Sequence, residues 1–295
     1  MRRIDRLVVC GLGLIGGSFA LALREAKAAN CIVGLDSRTE SVARALEIGM
    51  IDETAADWRA ALKNADLVML AIPVGQIDAA LAAMAPFVGD GTVITDAGST
   101  KRDITEAARR HLATRLQQVV PGHPIAGTEK SGVDAGFASL FRGKRAIVTP
   151  LSESAPDAIE AVRYAWQCCG AKVACMAPDE HDRVFAAVSH LPHLLAYGLV
   201  DDLAARPNAE QLFSYAASGF RDFTRIAGSH PEMWRDICVT NRVAILAELD
   251  RYLDELKSMR ALLECGDAAG LEAVFERASQ ARNAWAEANL PYTGE

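Results

Sequence analysis

Close to its start the chain carries the stretch that decides the fold, Leu7-Val8-Val9-Cys10-Gly11-Leu12-Gly13-Leu14-Ile15-Gly16. The four apolar residues predict a buried strand, and the glycines predict a tight turn that opens a helix over residues 18–26. Gly11 suits the tight turn, Gly13 lets backbone approach a pyrophosphate, and Gly16 lets the helix pack closely on the strand. The stretch therefore predicts a dinucleotide-binding turn.

A carboxylate follows this turn at the end of the second predicted strand. Asp36 lies 20 residues after Gly16, where it would accept hydrogen bonds from the adenosine ribose. Asp36 favours NAD because it repels the 2'-phosphate of NADP, whereas a guanidinium at Arg38 leaves NADP possible. We expect the cofactor to lie along three short segments of the chain, namely Leu14, Ile15, Asp36, Ser37, Arg38, Ile72, Pro73 and Val74.

Short apolar runs alternate with alanine-rich amphipathic stretches up to about residue 176. The runs occupy residues 7–10, 32–35, 67–71, 92–95, 146–149 and 172–175. Strands that alternate with helices predict an α/β fold with a doubly wound, mostly parallel, Rossmann-like sheet. Because these runs are continuously apolar, helices should cover both faces of the sheet.

From Pro178 onward the strand pattern stops and long helical stretches replace it, over residues 180–205, 231–265 and 267–288. This change predicts a dinucleotide-binding domain over residues 1–176 and an all-helical domain for substrate binding and dimerisation over residues 177–295. The predicted helices far exceed the average length of about 11 to 12 residues. An apolar stripe that needs a covering helix runs along one of them, through Ile237, Ile245, Leu249, Leu256 and Leu263. Either an intrachain core or a second copy can cover this stripe, and we favour a homodimer.

Composition limits the possible functions. The net charge of −7 argues against a nucleic-acid surface, which needs concentrated basic residues. The seven cysteines form no Cys-x-x-Cys pair and suit a reducing compartment, so we expect a cytoplasmic protein. The apolar run after Arg2 and Arg3 resembles a signal peptide, but glycines interrupt it and no cleavage site follows. We expect no later stretch to span a membrane.

Four further segments combine histidine, serine and charged residues: Asp-Ala-Gly-Ser-Thr-Lys at 96–101, Gly-His-Pro-Ile-Ala-Gly-Thr-Glu at 122–129, Ser-His-Leu-Pro-His at 189–193, and Gly-Phe-Arg-Asp-Phe-Thr-Arg at 219–225. At these segments the chain closely resembles the prephenate and arogenate dehydrogenases of tyrosine biosynthesis, the cyclohexadienyl dehydrogenases. The resemblance extends over nearly the whole chain. It implies oxidative decarboxylation of a cyclohexadienol, prephenate or arogenate, with hydride transfer to the nicotinamide.

The resemblance also implies roles for individual residues. His123 matches the catalytic base, and imidazole suits this task because its pKa of ~6.5 lies close to working pH. Ser99 matches a serine that orients the histidine and the nicotinamide, although it could instead cap a helix over residues 101–112. His193 and Arg225 match residues that bind the substrate carboxylates.

Charged residues around these positions have a second explanation as well. Asp222 lies three residues before Arg225 and could simply pair with it on a helix. In the family the residues that match Asp222 and Glu129 belong to an ionic network near the substrate, and Thr128 precedes Glu129 directly. His190 and His193 resemble a metal-binding pair, but no third ligand follows at a suitable spacing, so we predict no metal. We expect His190 to pack behind the site.

Two other functions remain in competition. A 3-hydroxyacid dehydrogenase would share the glycine turn, but it relies on a lysine that residues 178–203 do not contain. A dinucleotide-sensing protein would bind the cofactor without turnover. That reading leaves the set of His123, Ser99, His193 and Arg225 unexplained.

Overall fold

The computed structural model describes residues 4–128 and 130–289, and these residues include eight strands. They are β1 (Ile4–Cys10), β2 (Ala29–Leu35), β3 (Glu53–Thr54), β4 (Leu67–Leu70), β5 (Val93–Asp96), β6 (Gly122–Pro124), β7 (Arg145–Val148) and β8 (Lys172–Cys175). Five form a parallel sheet in the order β3-β2-β1-β4-β5, and three form a second sheet in the order β6-β7-β8. The predicted α/β, Rossmann-like fold is therefore confirmed.

Thirteen α-helices occur in the same residues. They are α1 (Leu14–Glu25), α2 (Thr39–Glu47), α3 (Trp58–Leu62), α4 (Val74–Met84), α5 (Arg102–His111), α6 (Pro156–Cys168), α7 (Pro178–Phe185), α8 (Leu191–Ala204), α9 (Ala209–Ser214), α10 (Ser218–Thr224), α11 (Pro231–Thr240), α12 (Arg242–Cys265) and α13 (Ala268–Asn289). Short 3₁₀ segments add single turns at Ala85–Phe87, Ala113–Gln118, Val133–Ala135 and Arg225–Gly228.

Apolar side chains cover both faces of the parallel sheet, as the continuous apolar runs predicted. In β1, Leu7 and Val9 face a core that includes Phe19 and Trp166, whereas Val8 faces a second core on the opposite side. Alternate residues of a strand point to opposite faces, so one strand contributes to two cores. This double burial fixes the carboxyl end of β1, where the glycine turn begins.

The second sheet differs from the predicted single sheet. Strand β6 pairs antiparallel with β7, and the pairing matches His123 with Ile147. The sequence pattern missed β6 because it has only three residues, two of them glycine and proline. Strand β3, with two residues, was missed for the same reason of length.

Two predicted helices are interrupted. The stretch over 231–265 breaks at Asn241 into α11 and α12, so the predicted single long helix is wrong. The stretch over 180–205 contains a π turn at Ala186–His190, between α7 and α8. Such turns accommodate an extra residue and often occur at functional sites.

The segment Pro178–Ala204 is the one helix of the described chain that is long and apolar enough to cross a membrane, with a hydropathy of 1.2. This match rests on length and composition alone, which helices of folded domains also meet. However, His181 is completely buried in this segment, α7 contacts α5, and α8 contacts α10. These contacts join both helices of the segment to neighbouring helices, and 28% of its apolar window is buried. Arg2 and Arg3, at the signal-like start, lie outside the described residues.

The chain divides into two compact units, one ending at Ile245 and the other beginning at Leu246. The predicted apolar stripe crosses this division. Ile237 and Ile245 are buried at 2% and 4% exposure, whereas Leu256 and Leu263 are 41% and 66% exposed. The stripe residues of the first unit are therefore buried in an intrachain core, whereas Leu256 and Leu263 of the second unit are exposed.

Candidate active site

The glycine turn at the end of β1 is determined by close backbone contacts. Gly11 has φ +92°, and a Cβ there would lie 2.3 Å from the carbonyl oxygen of Ala71. A Cβ on Gly16 would lie 2.0 Å from the carbonyl oxygen of Gly11. Gly13 differs, since its Cβ would meet nothing within 4 Å. The turn thus leaves open space in front of the α1 N-terminus, whose free N–H groups suit a pyrophosphate.

Asp36 lies directly after β2 and is tied to this turn. Its carboxylate accepts hydrogen bonds from the backbone N–H groups of Leu12 at 2.8 Å and Arg38 at 3.0 Å. The Arg38 guanidinium, which is 61% exposed, lies 3.8 Å from the same carboxylate. Asp36 retains acceptor capacity for ribose hydroxyls. Ser37 is exposed beside it.

The loop after β4 adjoins the turn on the other side. The Ile72 side chain lies 3.0 Å from the Cβ position of Gly11, and Pro73 precedes the first residue of α4, Val74. Ile72 and Val74 are half-buried and Pro73 is exposed. These residues border the space where the predicted dinucleotide would lie.

A buried ion pair lies between the turn and the histidine segment. The Lys101 ammonium donates to the Asp96 carboxylate and, at 2.6 Å, to the carbonyl oxygen of Gly122. Asp96 also accepts from the N–H groups of Gly98 at 2.7 Å and Gly122 at 3.2 Å. Burial lowers the pKa of Lys101, while Asp96 and Asp182 act to raise it. The pair fixes the backbone on which His123 stands.

His123 is held at one ring nitrogen. Its Nδ1 lies 2.8 Å from Nε2 of His181, and Nδ1 of His181 lies 2.8 Å from the Asp182 carboxylate. The Phe185 ring packs against both imidazoles, with centroids at 4.9 Å from His123 and 4.4 Å from His181. Burial, the two neighbouring histidines His181 and His190, and the Lys101 cation hold the pKa of His123 well below its usual range. A neutral imidazole with a free Nε2 can accept a proton at pH 7.

His190 lies behind this cluster and is 1% exposed. Its Nδ1 takes a hydrogen bond from the Asn241 amide at 3.0 Å, and that amide also donates to the carbonyl oxygen of Asp182 at 2.8 Å. Burial lowers the pKa of His190 to about 4. The side chain is therefore hydrogen-bonded at Nδ1 and packed against Trp234, at a ring-centroid distance of 6.1 Å.

His193 and Arg225 could hold an anionic substrate. The His193 ring stacks on Trp234 at 3.5 Å and donates from Nδ1 to the carbonyl oxygen of Ser189 at 2.8 Å. Burial lowers the pKa of His193, and the positive charge of Arg225 lowers it further. Arg225 makes no ion pair among the described residues. Its charge is therefore available to a carboxylate.

The alternative pairing of Arg225 with Asp222 is wrong. Asp222 instead lies 3.4 Å from Nε of its neighbour Arg221, and both side chains are largely exposed. Thr128 is also exposed and accepts from the N–H of Lys130 at 3.2 Å. Glu129, expected in an ionic network with Asp222, lies outside the described residues.

Ser99 is half-buried in the loop after β5. Among the described residues it makes no hydrogen bond to His123, and it does not cap α5, so the capping alternative is wrong. The helix instead receives its cap from Asp182, which accepts from the N–H groups of Lys101 at 2.8 Å and Arg102 at 2.9 Å. A carboxylate distant in sequence thus replaces the local serine cap.

Sequence reasoning missed several buried polar residues of this site: Asp96, Lys101, His181, Asp182, Trp234 and Asn241. Asp96 and Lys101 were quoted within a recognised segment but given no role. His181 and Asp182 gave no local signal, because they lie in the charged run Asp-Glu-His-Asp-Arg at 179–183, which looks like an exposed helix face. Buried charged residues are rare unless they are paired.

Comparison with known proteins agrees with this geometry. Residues 19–175 match the nucleotide-binding domain of prephenate dehydrogenase, and residues 177–277 match its dimerization domain. The cyclohexadienyl dehydrogenase of Zymomonas mobilis is 36% identical, covering 96% of each chain. The prephenate dehydrogenase of Bacillus subtilis is 38% identical, covering 95% of this chain and 76% of the relative.

A solved structure agrees as well. Prephenate dehydrogenase from Aquifex aeolicus, in complex with hydroxyphenyl propionate and NAD+, superposes with a TM-score of 0.89 at 33% identity. The alignment covers 95% of this chain and 98% of that one. Both domains match, two relatives are more than one-third identical, and the fold is shared over nearly the full length. The chain therefore belongs to the prephenate dehydrogenase family.

Proposed function

We propose that this chain catalyses the oxidative decarboxylation of prephenate to 4-hydroxyphenylpyruvate, of arogenate to tyrosine, or of both. The observation that carries the proposal is His123, a neutral imidazole with its Nδ1 engaged and its Nε2 free. The glycine turn and Asp36 would hold the dinucleotide, which would supply an acceptor for the hydride on ring C4. His123 would take the proton of the C4 hydroxyl, and carbon dioxide would leave from C1 as the ring becomes aromatic. His123 would then return the proton to the phenolate oxygen.

His193 and Arg225 would hold the substrate carboxylates. Arg225 offers a planar donor of two parallel hydrogen bonds, and the stacked His193 keeps Nε2 available beyond its bond to Ser189. An acidic protein needs such local donors, because its net charge of −7 repels a dianion. Ser99 would act on the substrate or the nicotinamide, and Thr128, Glu129 and Asp222 would lie near the substrate as supporting residues.

The function is tested with prephenate and arogenate, each with NAD and NADP, by following absorbance of the reduced cofactor. Replacing His123→Asn should lower kcat by about 10²- to 10⁴-fold with KM almost unchanged, since a positioned base acts in the transition state. His111→Asn, on the exposed end of α5, is the matched control and should keep wild-type kcat. Failure of wild type to reduce either cofactor with either substrate would refute the function.

NAD is the proposed cofactor. Asp36 lies next to the turn and keeps acceptor capacity for ribose hydroxyls, while Arg38 is partly neutralised by Asp36 at 3.8 Å. Replacing Asp36→Ser should lower the preference for NAD over NADP by roughly tenfold, about 1.4 kcal/mol. A wild-type enzyme with higher kcat/KM for NADP would overturn this assignment.

We also propose two functional domains with a boundary at residue 176. Residues 1–176 would bind the dinucleotide, and residues 177–295 would form the dimer interface. The exposed leucines of α12 and the exposed Phe275 of α13 support a second copy of the chain as the partner that covers them. Leu263→Glu should produce monomers in analytical ultracentrifugation. Leu46→Glu, at an exposed leucine of α2, should not, and a monomeric wild type would contradict the dimer.

A cytoplasmic location is proposed on the cysteines. All seven are free thiols, including the buried Cys10 and Cys169. Free thiols suit a reducing compartment. Fractionation of cells that express the protein, followed by immunoblotting, tests the location.

A further inference from the structure

We propose that His181 and Asp182 are positioning residues that fix the tautomer of His123 through a chain of two hydrogen bonds. The inference rests on the proposed function, in which His123 is the base. It adds a role for two residues outside the segments that carried the family resemblance. The feature on which it depends is the unbroken series Asp182, His181, His123, with both links at 2.8 Å.

Asp182 determines which atom donates and which accepts in each of the two hydrogen bonds. An ionised carboxylate can only accept hydrogen bonds. Burial acts to raise the pKa of Asp182, but bonds from His181 and from the Arg102 and Lys101 N–H groups hold it below its ordinary value. His181 must therefore carry a proton on Nδ1, the nitrogen that faces the carboxylate.

The second link follows from the first. His181 is completely buried, and burial lowers its pKa against the opposing effect of Asp182, so it carries a single ring proton. With that proton on Nδ1, the Nε2 of His181 has only a lone pair and must accept from Nδ1–H of His123. A neutral His123 then has its own lone pair on Nε2. This is the nitrogen that the described contacts leave free for the substrate hydroxyl.

The surrounding contacts keep the series rigid. The Asp182 carboxylate is fixed by the first two N–H groups at the start of α5, and the backbone carbonyl of the same residue by Asn241. The Phe185 ring packs against both imidazoles. Two other ionisable groups face the series: Lys101, which pairs with Asp96, and His190, whose Nδ1 bonds to Asn241.

The opposite arrangement would disable the base. If His181 carried its proton on Nε2, His123 would accept at Nδ1 and hold its own proton on Nε2. That tautomer cannot take a proton from the substrate. Without a fixed partner at Nδ1, the two tautomers of His123 would interconvert and only a fraction of the enzyme would be competent.

Nitrogen NMR of the ¹⁵N-histidine-labelled protein tests the tautomer directly, without substrate. The chain has six histidines, and loss of signals in His123→Gln and His181→Phe assigns the two of interest. At pH 8 we expect both to be neutral and protonated on Nδ1. A proton on Nε2 of either wild-type ring would overturn the proposal while leaving the dehydrogenase function untouched.

The kinetics of two His181 variants distinguish a role in positioning His123 from a role in stabilising the fold. His181→Phe keeps an aromatic ring against Phe185 but removes the acceptor, and kcat should fall by roughly 10- to 100-fold, as for other residues that orient an imidazole. KM and the cofactor Kd should change less than about twofold. His181→Gln can still accept from Nδ1–H of His123 and should recover most of kcat.

The comparison of the two variants tests the positioning role even if one of them is less stable. Equal losses in Phe and Gln variants, or a loss confined to KM, would contradict the positioning role. If His181→Phe does not fold, loss of the signal in His181→Gln assigns His181, and the wild-type nitrogen spectrum then decides the question. Turnover by wild type, measured separately, reports on the proposed function and not on this inference.

Discussion

The glycine turn is built differently from the buried polar cluster of Asp96, Lys101, His123, His181 and Asp182. The turn follows β1, and Asp96 of the cluster ends β5 of the same sheet. Steric contact determines the turn, since Cβ atoms at Gly11 and Gly16 would overlap backbone oxygen. Charge and hydrogen bonding determine the cluster, which joins residues up to 81 positions apart. Steric fit therefore determines the conformation of the turn, and paired polar groups determine the arrangement around His123.

The largest effect should come from breaking the cluster. Lys101→Met removes the cation and leaves the Asp96 carboxylate buried without its partner, because both side chains are at most 3% exposed. Loss of one partner of a buried pair costs about 3 to 5 kcal/mol of unfolding free energy. Urea denaturation measures this loss. Arg206→Met, which breaks an exposed pair with Asp202, should leave the midpoint unchanged, and equal effects of the two variants would contradict the distinction.

The next prediction concerns Gly16 and Gly13 of the turn, whose replacement by alanine should have different effects on stability. Gly16→Ala places a Cβ against the Gly11 carbonyl and should lower the unfolding free energy by about 1 to 3 kcal/mol. Gly13→Ala faces open space and should leave stability unchanged but weaken dinucleotide binding about tenfold, or about 1.4 kcal/mol. Calorimetric titration with NAD measures the Kd. Normal binding by Gly13→Ala would mean that the cofactor does not approach this residue.

A further effect is a pH dependence of stability from His190. Its pKa is lowered to about 4 in the fold, whereas an unfolded histidine titrates near ~6.5. The unfolded chain therefore binds the extra proton first, so this contribution is complete above pH 6.5 and is lost as the pH falls toward 4. The slope is about 1.4 kcal/mol per pH unit for one proton.

Denaturation of wild type and His190→Gln between pH 7 and pH 5 checks this. The variant should be less stable at neutral pH, but its stability should fall less steeply below pH 6.5. Parallel curves would show that the buried His190 takes up its proton in the fold as easily as in the unfolded chain. His123 and His181, whose pKa values are also lowered, add to the wild-type slope.

The contrast between the two regions also explains what the sequence could predict. The turn lies within one short stretch, and contacts close in space explain why Gly11 and Gly16 are glycines. The positions of the turn and of Asp36 were therefore predictable from their spacing in the sequence. His123 was found through the family resemblance. Its partner was not, because the 58 residues between His123 and His181 are bridged only by the fold.

The helical region was predictable in kind but not in detail. Periodicity predicted helices after Pro178, yet it could not predict the break at Asn241, whose side chain turns inward to bond Asp182 and His190. The same limit applies to Ser99. A serine before a helix is a sound local capping signal, and here a carboxylate from another helix takes its place.

The π turn at Ala186–His190 has a consequence for insertions and deletions. A π turn absorbs one extra residue, so the helix after it keeps the rotational phase that a regular α-helix one residue shorter would have. His181 lies before this turn, while His190 ends it and His193 follows. Deleting one residue between 186 and 190 would therefore restore regular α geometry and leave His193 on its present side of the helix. Inserting one residue after the turn would instead rotate His193 by about 100°. At this place the helix tolerates the loss of one residue better than the gain of one.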